Sequence, residues 1–224
     1  MGLDSYVARQ IAAPSGRLAP LVARLLNAGN RPLNLAAIEA LDLRPGMRVL
    51  DVGFGGGGSL RELSERVGSG GAVAGLDVSP AMVDRGRTIF RRLIAAGGLA
   101  LELGSVESMP WPDASFDGAI SVNTIFYWPD AAAGLREMWR VLRPGGVFAL
   151  AMRSSQAVAR ARPERFGFKN YRTDELARLL EAAGWTGIAS RDLRGGLSGN
   201  AVVMRATKAQ DSSPLVDRES SSCA

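Results

Sequence analysis

Val49-Leu50-Asp51-Val52-Gly53-Phe54-Gly55-Gly56-Gly57-Gly58 is the stretch on which the reading of this chain turns. A short apolar run from Met47 to Val52 that enters a row of glycines reads as a buried strand, a tight turn and the start of a helix. Gly53, Gly55 and Gly58 satisfy the G-x-G-x-x-G spacing, and Asp77 follows about 20 residues on, where a dinucleotide site places its ribose-binding acid. Asp51 separates two readings. It stands two residues before the first glycine, at the carboxyl end of the strand, where a dinucleotide brings its pyrophosphate. A carboxylate there repels that anion in a partly desolvated site and attracts a cation.

Outward from this stretch the pattern alternates. Residues 59–67 read as helical, Ala72 to Leu76 as a second strand ending at Asp77, and Ser79-Pro80 as a helix start with Ser as cap, the helix running to about Ala96. Leu99 to Leu103 and Phe116 to Val122 read as strands three and four, 131–141 as a helix, Pro144-Gly145-Gly146 as a turn and Val147 to Met152 as strand five. Thr173 is expected to cap a further helix that ends near Gly184. Gly187 to Asp192 and Ala201 to Ala206 then form a hairpin across Gly195-Gly196 and Ser198-Gly199-Asn200. This order predicts an α/β, Rossmann-like, doubly wound sheet of seven strands, mostly parallel with an antiparallel last strand, plus N-terminal helices. Residues 1–44 are expected as an N-terminal helical lid of two or three short helices interrupted by Pro14, Gly29 and Pro32, residues 45–208 as the ligand-binding domain, and the Ser-rich residues 209–224 as a disordered tail.

Composition bounds the chemistry. The 224 residues suit one α/β domain with a short extension, and 46% apolar content fits a packed core. The chain has no histidine and one cysteine, Cys223, near the terminus. That removes Ser-His and Cys-His nucleophile pairs, an intramolecular disulfide and the commonest zinc ligand, so no metal site is expected. The net charge is +5, and Lys169 and Lys208 are the only lysines, so 25 of the 27 basic residues are arginines. One modest basic cluster, Arg153, Arg160, Arg162, Arg165 and Lys169, carries no nucleic-acid motif, and no nucleic-acid partner is expected. It reads either as a solvated loop or as a surface for an acidic substrate. No apolar run approaches the roughly 20 residues of a membrane span, and the first residues carry no signal-peptide pattern; the expected location is the cytoplasm, with no stable membrane insertion. Oligomeric state is not legible.

Four stretches together resemble a family. Val49–Gly57 resembles the first motif of class I S-adenosylmethionine-dependent methyltransferases, and Gly75-Leu76-Asp77-Val78-Ser79-Pro80-Ala81-Met82 looks like their second. Gly104 to Asp117 is similar to their third loop and the entry to strand four, and Leu135 to Gly146 to the helix and turn before strand five. The likeness, to the type 11 or UbiE-like small-molecule group, spans residues 47–152. It implies S-adenosyl-L-methionine as cofactor, a cation with no phosphate, and a methyl acceptor that is a small molecule, attacked through O, N or C. It implies that Gly53, Gly55 and Gly57 admit the methionine part against the backbone, that Asp51 faces its positive charge and that Asp77 takes the ribose hydroxyls. Val78 and Met82 would pack on the adenine, Ser105 and Val106 would flank it, and Asn123 would line the methionine side. Serine departs from the acidic or amide residue usual at position 105. Asn30 and Arg31 would close over the methionine carboxylate.

The acceptor pocket is expected above the carboxyl ends of strands four and five. Its walls would be the N-terminal helices with Tyr6, the Asn123-Thr124-Ile125-Phe126-Tyr127-Trp128 loop, whose three aromatics could enclose a flat substrate, and residues 153–171. Tyr6 and Tyr127 are weak candidates to orient an acceptor; an unperturbed phenol titrates near about 10, too high for a general base. A nicotinamide-dependent oxidoreductase and a non-catalytic cofactor-binding protein on the same fold are the competing readings.

Overall fold

The computed structural model describes residues 19–154, 169–193 and 200–210. The first described element, α1 (Ala19–Ala40), is one helix of 22 residues. It runs through Gly29 and Pro32, where the sequence predicts interruptions. Proline inside a helix removes one backbone hydrogen bond, here to the Ala28 carbonyl. Leu33, Ala37 and Ile38 are fully or almost fully buried one to six residues further on, and that tertiary packing overrides the local cost.

The sheet then follows as expected. Strands β1 (Arg48–Val52), β2 (Ala72–Asp77), β3 (Leu99–Leu103), β4 (Phe116–Val122) and β5 (Leu142–Arg153) are parallel, and β6 (Trp185–Leu193) and β7 (Ala201–Lys208) complete seven strands in the order β3-β2-β1-β4-β5-β7-β6. β7 runs antiparallel to both neighbours. The turn residues expected between β6 and β7, 194–199, lie outside the described residues, but the pairing of Leu193 with Ala201 gives the hairpin its register.

Helices α2 (Gly58–Val67), α3 (Pro80–Ile89), α4 (Arg91–Ala95), α5 (Ala131–Val141) and α6 (Thr173–Ala182) cover the sheet. The helix expected from Ser79 to about Ala96 is broken at Phe90, which turns its ring against Gly57. Thr173 is the first residue of α6, not its cap; Arg172 precedes it with no side-chain cap bond and reaches Asp174 instead. β5 starts at Leu142, before the predicted turn at Pro144-Gly145-Gly146; Leu142 pairs with Phe116 and the ladder resumes at Gly118–Val147 after an irregularity.

Alternating strand residues feed two cores. Leu50, Leu76, Ala119, Phe148 and Leu150 pack under α5 and α6 with Leu135, Met138 and Leu176. Val49, Val73, Ile120, Ala149 and Val203 pack under α1, α2 and α3 with Ala37, Leu63 and Val83. A parallel sheet buried on both faces needs such continuously apolar strands. Trp185 sits in the first core with its indole N–H on the Leu135 carbonyl, and Trp139 caps Gly184. Among the described residues no helix is long and apolar enough to cross a membrane.

Candidate functional site

The strand order reverses between β1 and β4: the chain builds outward from β1 to β3, then returns to place β4 on β1's other side. A crevice opens at such a point, at the carboxyl ends of the strands, and Asp51, the glycine loop, Asp77 and Asn123 all end there.

The loop is shaped by close approaches. The Gly53 N–H donates to the Leu76 carbonyl (2.7 Å) at φ +76°, and a Cβ there would run into the Thr124 methyl. At Gly56 a Cβ would lie 2.5 Å from the Ala23 carbonyl oxygen and run into Asn27 Oδ1. The absence of side chains thus lets α1 and the segment after β4 close on the loop.

Two carboxyl groups flank it. Asp51 is 2% exposed and accepts a short hydrogen bond from the Ser59 hydroxyl, at the start of α2. Burial pushes its pKa up to about 7, Ser59 holds it back, and the charge of Asp77 adds to the rise. Asp77 is also buried; its Oδ2 accepts from the Gly55 N–H (2.8 Å) and its Oδ1 from the Ser79 N–H (2.9 Å). Burial raises its pKa, against the backbone donors of Ser79, Gly55 and Val78. A carboxylate offers about four lone-pair sites, so both Asp77 oxygens retain capacity. Such a pair favours a bound cation and disfavours a pyrophosphate.

Around these, Val78 stands 56% exposed at the tip of β2, an apolar side chain left open beside Asp77. Met82 is fully buried among Phe54, Leu60 and Val83; core packing occupies it and leaves it no open surface for an adenine. Ser105 is half-buried, its hydroxyl accepting from the Glu107 N–H at 3.3 Å, and Val106 is buried. Asn123 holds φ +56°; its Nδ2 donates to Asn30 Oδ1 (2.9 Å) and its Oδ1 accepts from the Arg153 N–H (2.9 Å). So Asn30 and Asn123 meet across 93 residues. Arg31 points elsewhere, 71% exposed and 4.0 Å from Glu62. Of the three aromatics expected to wall a pocket, Phe126 and Trp128 are buried in the core and only Tyr127 is half-buried. The reason is the apolar face of α5 beneath them and the Thr124 hydroxyl, which accepts from the Trp128 indole at 3.2 Å. Tyr6 and residues 155–168 lie outside the described residues. Among the described residues no cluster of three His, Cys, Asp or Glu side chains could hold a metal ion.

Asn27 is the residue that sequence reading missed. Its Nδ2 donates to the Gly56 carbonyl (2.9 Å) and its Oδ1 accepts from the Gly58 N–H (3.1 Å), so it brackets the glycine loop from α1. Asn27, Asn30 and Asn34 fall at i, i+3 and i+7, one face of a continuous helix, and buried Asn34 also lies beside Gly58. The signal was there, but it disappears once the segment is broken at Gly29 and Pro32. Ser59 was likewise missed, and Thr124, expected only as part of a pocket wall, packs its methyl toward Gly53.

The chain matches the family model described as a methyltransferase domain over residues 50–150. It is 33% identical over 189 residues to the demethylmenaquinone methyltransferase of Corynebacterium kroppenstedtii, covering 72% of this chain and 78% of that one. It is 33% identical over 135 residues to an uncharacterized methyltransferase, YdaC, of Bacillus subtilis, covering 60% of this chain and 72% of that one. Its fold is that of the crystal structure of a SAM-dependent methyltransferase from Aquifex aeolicus, with a TM-score of 0.70 at 23% identity, over 84% of this chain and 98% of the other.

Proposed function

The chain belongs to the S-adenosylmethionine-dependent methyltransferase family, and on that footing we propose that it methylates an O, N or C atom of a small molecule held at the carboxyl ends of β4 and β5. The observation that carries the cofactor assignment is the pair of buried carboxyl groups, Asp51 and Asp77, on either side of a glycine loop that has no room for a side chain at Gly53, Gly56 or Gly57. The nicotinamide alternative finds no support in the family match or in this electrostatics.

The residues fit the cofactor. Asp77 holds the backbone N–H groups of Gly55 and Ser79 and offers its remaining acceptor capacity to the ribose hydroxyls, with charge-assisted strength. Asp51 sets negative charge beneath the cationic part. Val78 supplies an open apolar face for the adenine, with Ser105 and Val106 on the other side. Gly53, Gly55 and Gly57 admit the methionine part against the backbone, and the Asn30–Asn123 pair bounds its far end. Arg31 serves the methionine carboxylate only by leaving Glu62. The bound cofactor supplies a methyl carbon already activated by positive sulfur. What remains for the chain is to align the acceptor and exclude water. Burial raises the pKa of Tyr127, which suits its phenol to donating a hydrogen bond, not to taking a proton.

Calorimetric titration with S-adenosylhomocysteine and with NAD(H) tests the cofactor assignment: micromolar-range binding of the first and none of the second is expected, and the reverse would overturn it. Turnover of S-adenosylmethionine over a panel of phenols, amines and enolisable carbonyl compounds tests the acceptor class.

A further inference from the structure

Arg153 ends β5 beside the crevice. It is half-buried, and its backbone N–H is tied to Asn123 Oδ1 at 2.9 Å. Its guanidinium reaches across to α1, where a Cβ on Gly29 would lie 3.7 Å from Nη2. That separation is an ordinary van der Waals contact, so the guanidinium lies against the α1 backbone at Gly29. The charge of Arg153 also acts on the Tyr127 phenol, pulling its pKa down against the larger effect of burial. Tyr127 lies in the segment that follows β4 and Arg153 ends β5, so the two residues follow the carboxyl ends of neighbouring strands.

Some of the described arginines are neutralised, Arg140 by Asp113 and Glu137, Arg143 by Asp117, Arg172 and Arg178 by Asp174; others, Arg153 among them, are not, and Arg153 is set apart from those by its place at the crevice. Among the described residues no carboxylate lies within ion-pair distance of Arg153. A partly desolvated cation without a counter-charge is costly to keep, and a guanidinium is a rigid fork matched to carboxylate oxygens. Its place in the sheet says which ligand it meets. Neighbouring strands lie about 4.8 Å apart, so Arg153 stands two strands from Asp51, on the side away from Asp77 and Val78. The nucleoside end of the crevice is at β2, and the acceptor approaches from β5.

We propose that Arg153, with Tyr127 beside it, is a specificity-determining group for the methyl acceptor, and that the acceptor is a small molecule bearing a carboxylate. This rests on the methyltransferase reading above. The test uses the full chain saturated with S-adenosylhomocysteine, whose affinity is measured first, and titrates four carboxylates from acetate to 2-naphthoate, each against its own carboxamide. The wild type is expected to bind at least one carboxylate about tenfold more tightly than its amide, with the preference weakening as salt rises. Arg153→Gln is expected to abolish the preference while leaving the S-adenosylhomocysteine affinity within about twofold, and Arg153→Lys, which keeps the charge and loses the fork, to fall between. Equal binding of every pair by the wild type, or a preference that survives in Arg153→Gln, overturns the proposal. So does a loss of about tenfold or more in S-adenosylhomocysteine affinity in Arg153→Gln, which would assign Arg153 to the cofactor's own carboxylate. No binding of S-adenosylhomocysteine by the wild type would overturn the underlying reading first, and is told apart by being measured before any acid is added.

Discussion

The Gly55 N–H donates to Asp77 Oδ2 at 2.8 Å, linking residues 22 positions apart in sequence and on neighbouring strand tips. The same carboxyl group orders the α3 entrance through the Ser79 N–H at 2.9 Å. A residue expected to serve the ribose is therefore also a clamp on the protein's own loop. Asp77→Asn keeps the size but exchanges one acceptor oxygen for a donor, which cannot accept from a backbone N–H. The expected outcome is cofactor affinity lowered by on the order of 1.5–3 kcal/mol, read by calorimetry, with a smaller fall in melting temperature. Unchanged affinity would remove Asp77 from the cofactor site.

Asp51 gives a pH dependence with a definite sign. Its pKa rises from 3.8 to about 7 on folding, so the folded chain holds this proton more tightly than the unfolded one. The stability it contributes to the unliganded protein is fully present below about pH 4 and is lost as pH rises to about 7. A cationic ligand reverses the preference, because it favours the carboxylate. Affinity for S-adenosylmethionine should climb between pH 6 and 8, and binding at pH 6 should release a proton, seen as a dependence of the calorimetric heat on buffer ionisation enthalpy. In Asp51→Asn both effects should vanish; persistence of the proton release would place its source elsewhere.

Gly56→Ala and Gly29→Ala should move stability in opposite directions. The first puts a Cβ 2.5 Å from the Ala23 carbonyl oxygen, so α1 must shift, at a cost of about 1–3 kcal/mol. The second places its Cβ no nearer than 3.7 Å to any atom beyond the local helix and should stabilise by about 0.4–1 kcal/mol through the unfolded state. Denaturant titration of the two variants checks both signs.

Asn27→Ala strips the partners from the Gly56 carbonyl and the Gly58 N–H. A loss of about 1–3 kcal/mol in stability is expected, together with weaker cofactor binding, since the loop is no longer held from α1. Arg31→Ala serves as the contrast: its pair with Glu62 is exposed at 4.0 Å, and a change of less than about 0.5 kcal/mol is expected in the melting curve.

The sheet was legible because each strand carries its own signal. Leu50 and Val49 alternate between two cores, and a run apolar on both faces next to glycines fits little besides a buried parallel strand. The carboxyl groups were legible for a similar reason: Asp51 and Asp77 sit at strand ends, where direction is fixed by the strand. Helix α1 was not. Gly29 and Pro32 are local signals for a break, and only the depth at which Leu33, Ala37 and Ile38 are buried outweighs them. Losing α1 as one helix meant losing the Asn27, Asn30 and Asn34 stripe. Phe126 and Trp128 show the complementary error, since a cluster of aromatics near a site reads as its wall until packing against α5 is known.

Among the described strands β7 alone runs against the parallel set, and it ends at Lys208, whose ammonium donates to the carbonyls of Trp139 and Leu142 beneath the Trp139 ring. Thr207 pairs with Val147, where the ladder between β5 and β7 begins along β5, whereas Arg153 at the carboxyl end of β5 pairs with Ala201. The backbone consequently departs the sheet from its floor, on the side opposite the crevice. Anchoring the molecule to a sensor surface through a linker joined after residue 210 should leave the cofactor entrance facing solution, and the affinity measured there should equal that of the free chain.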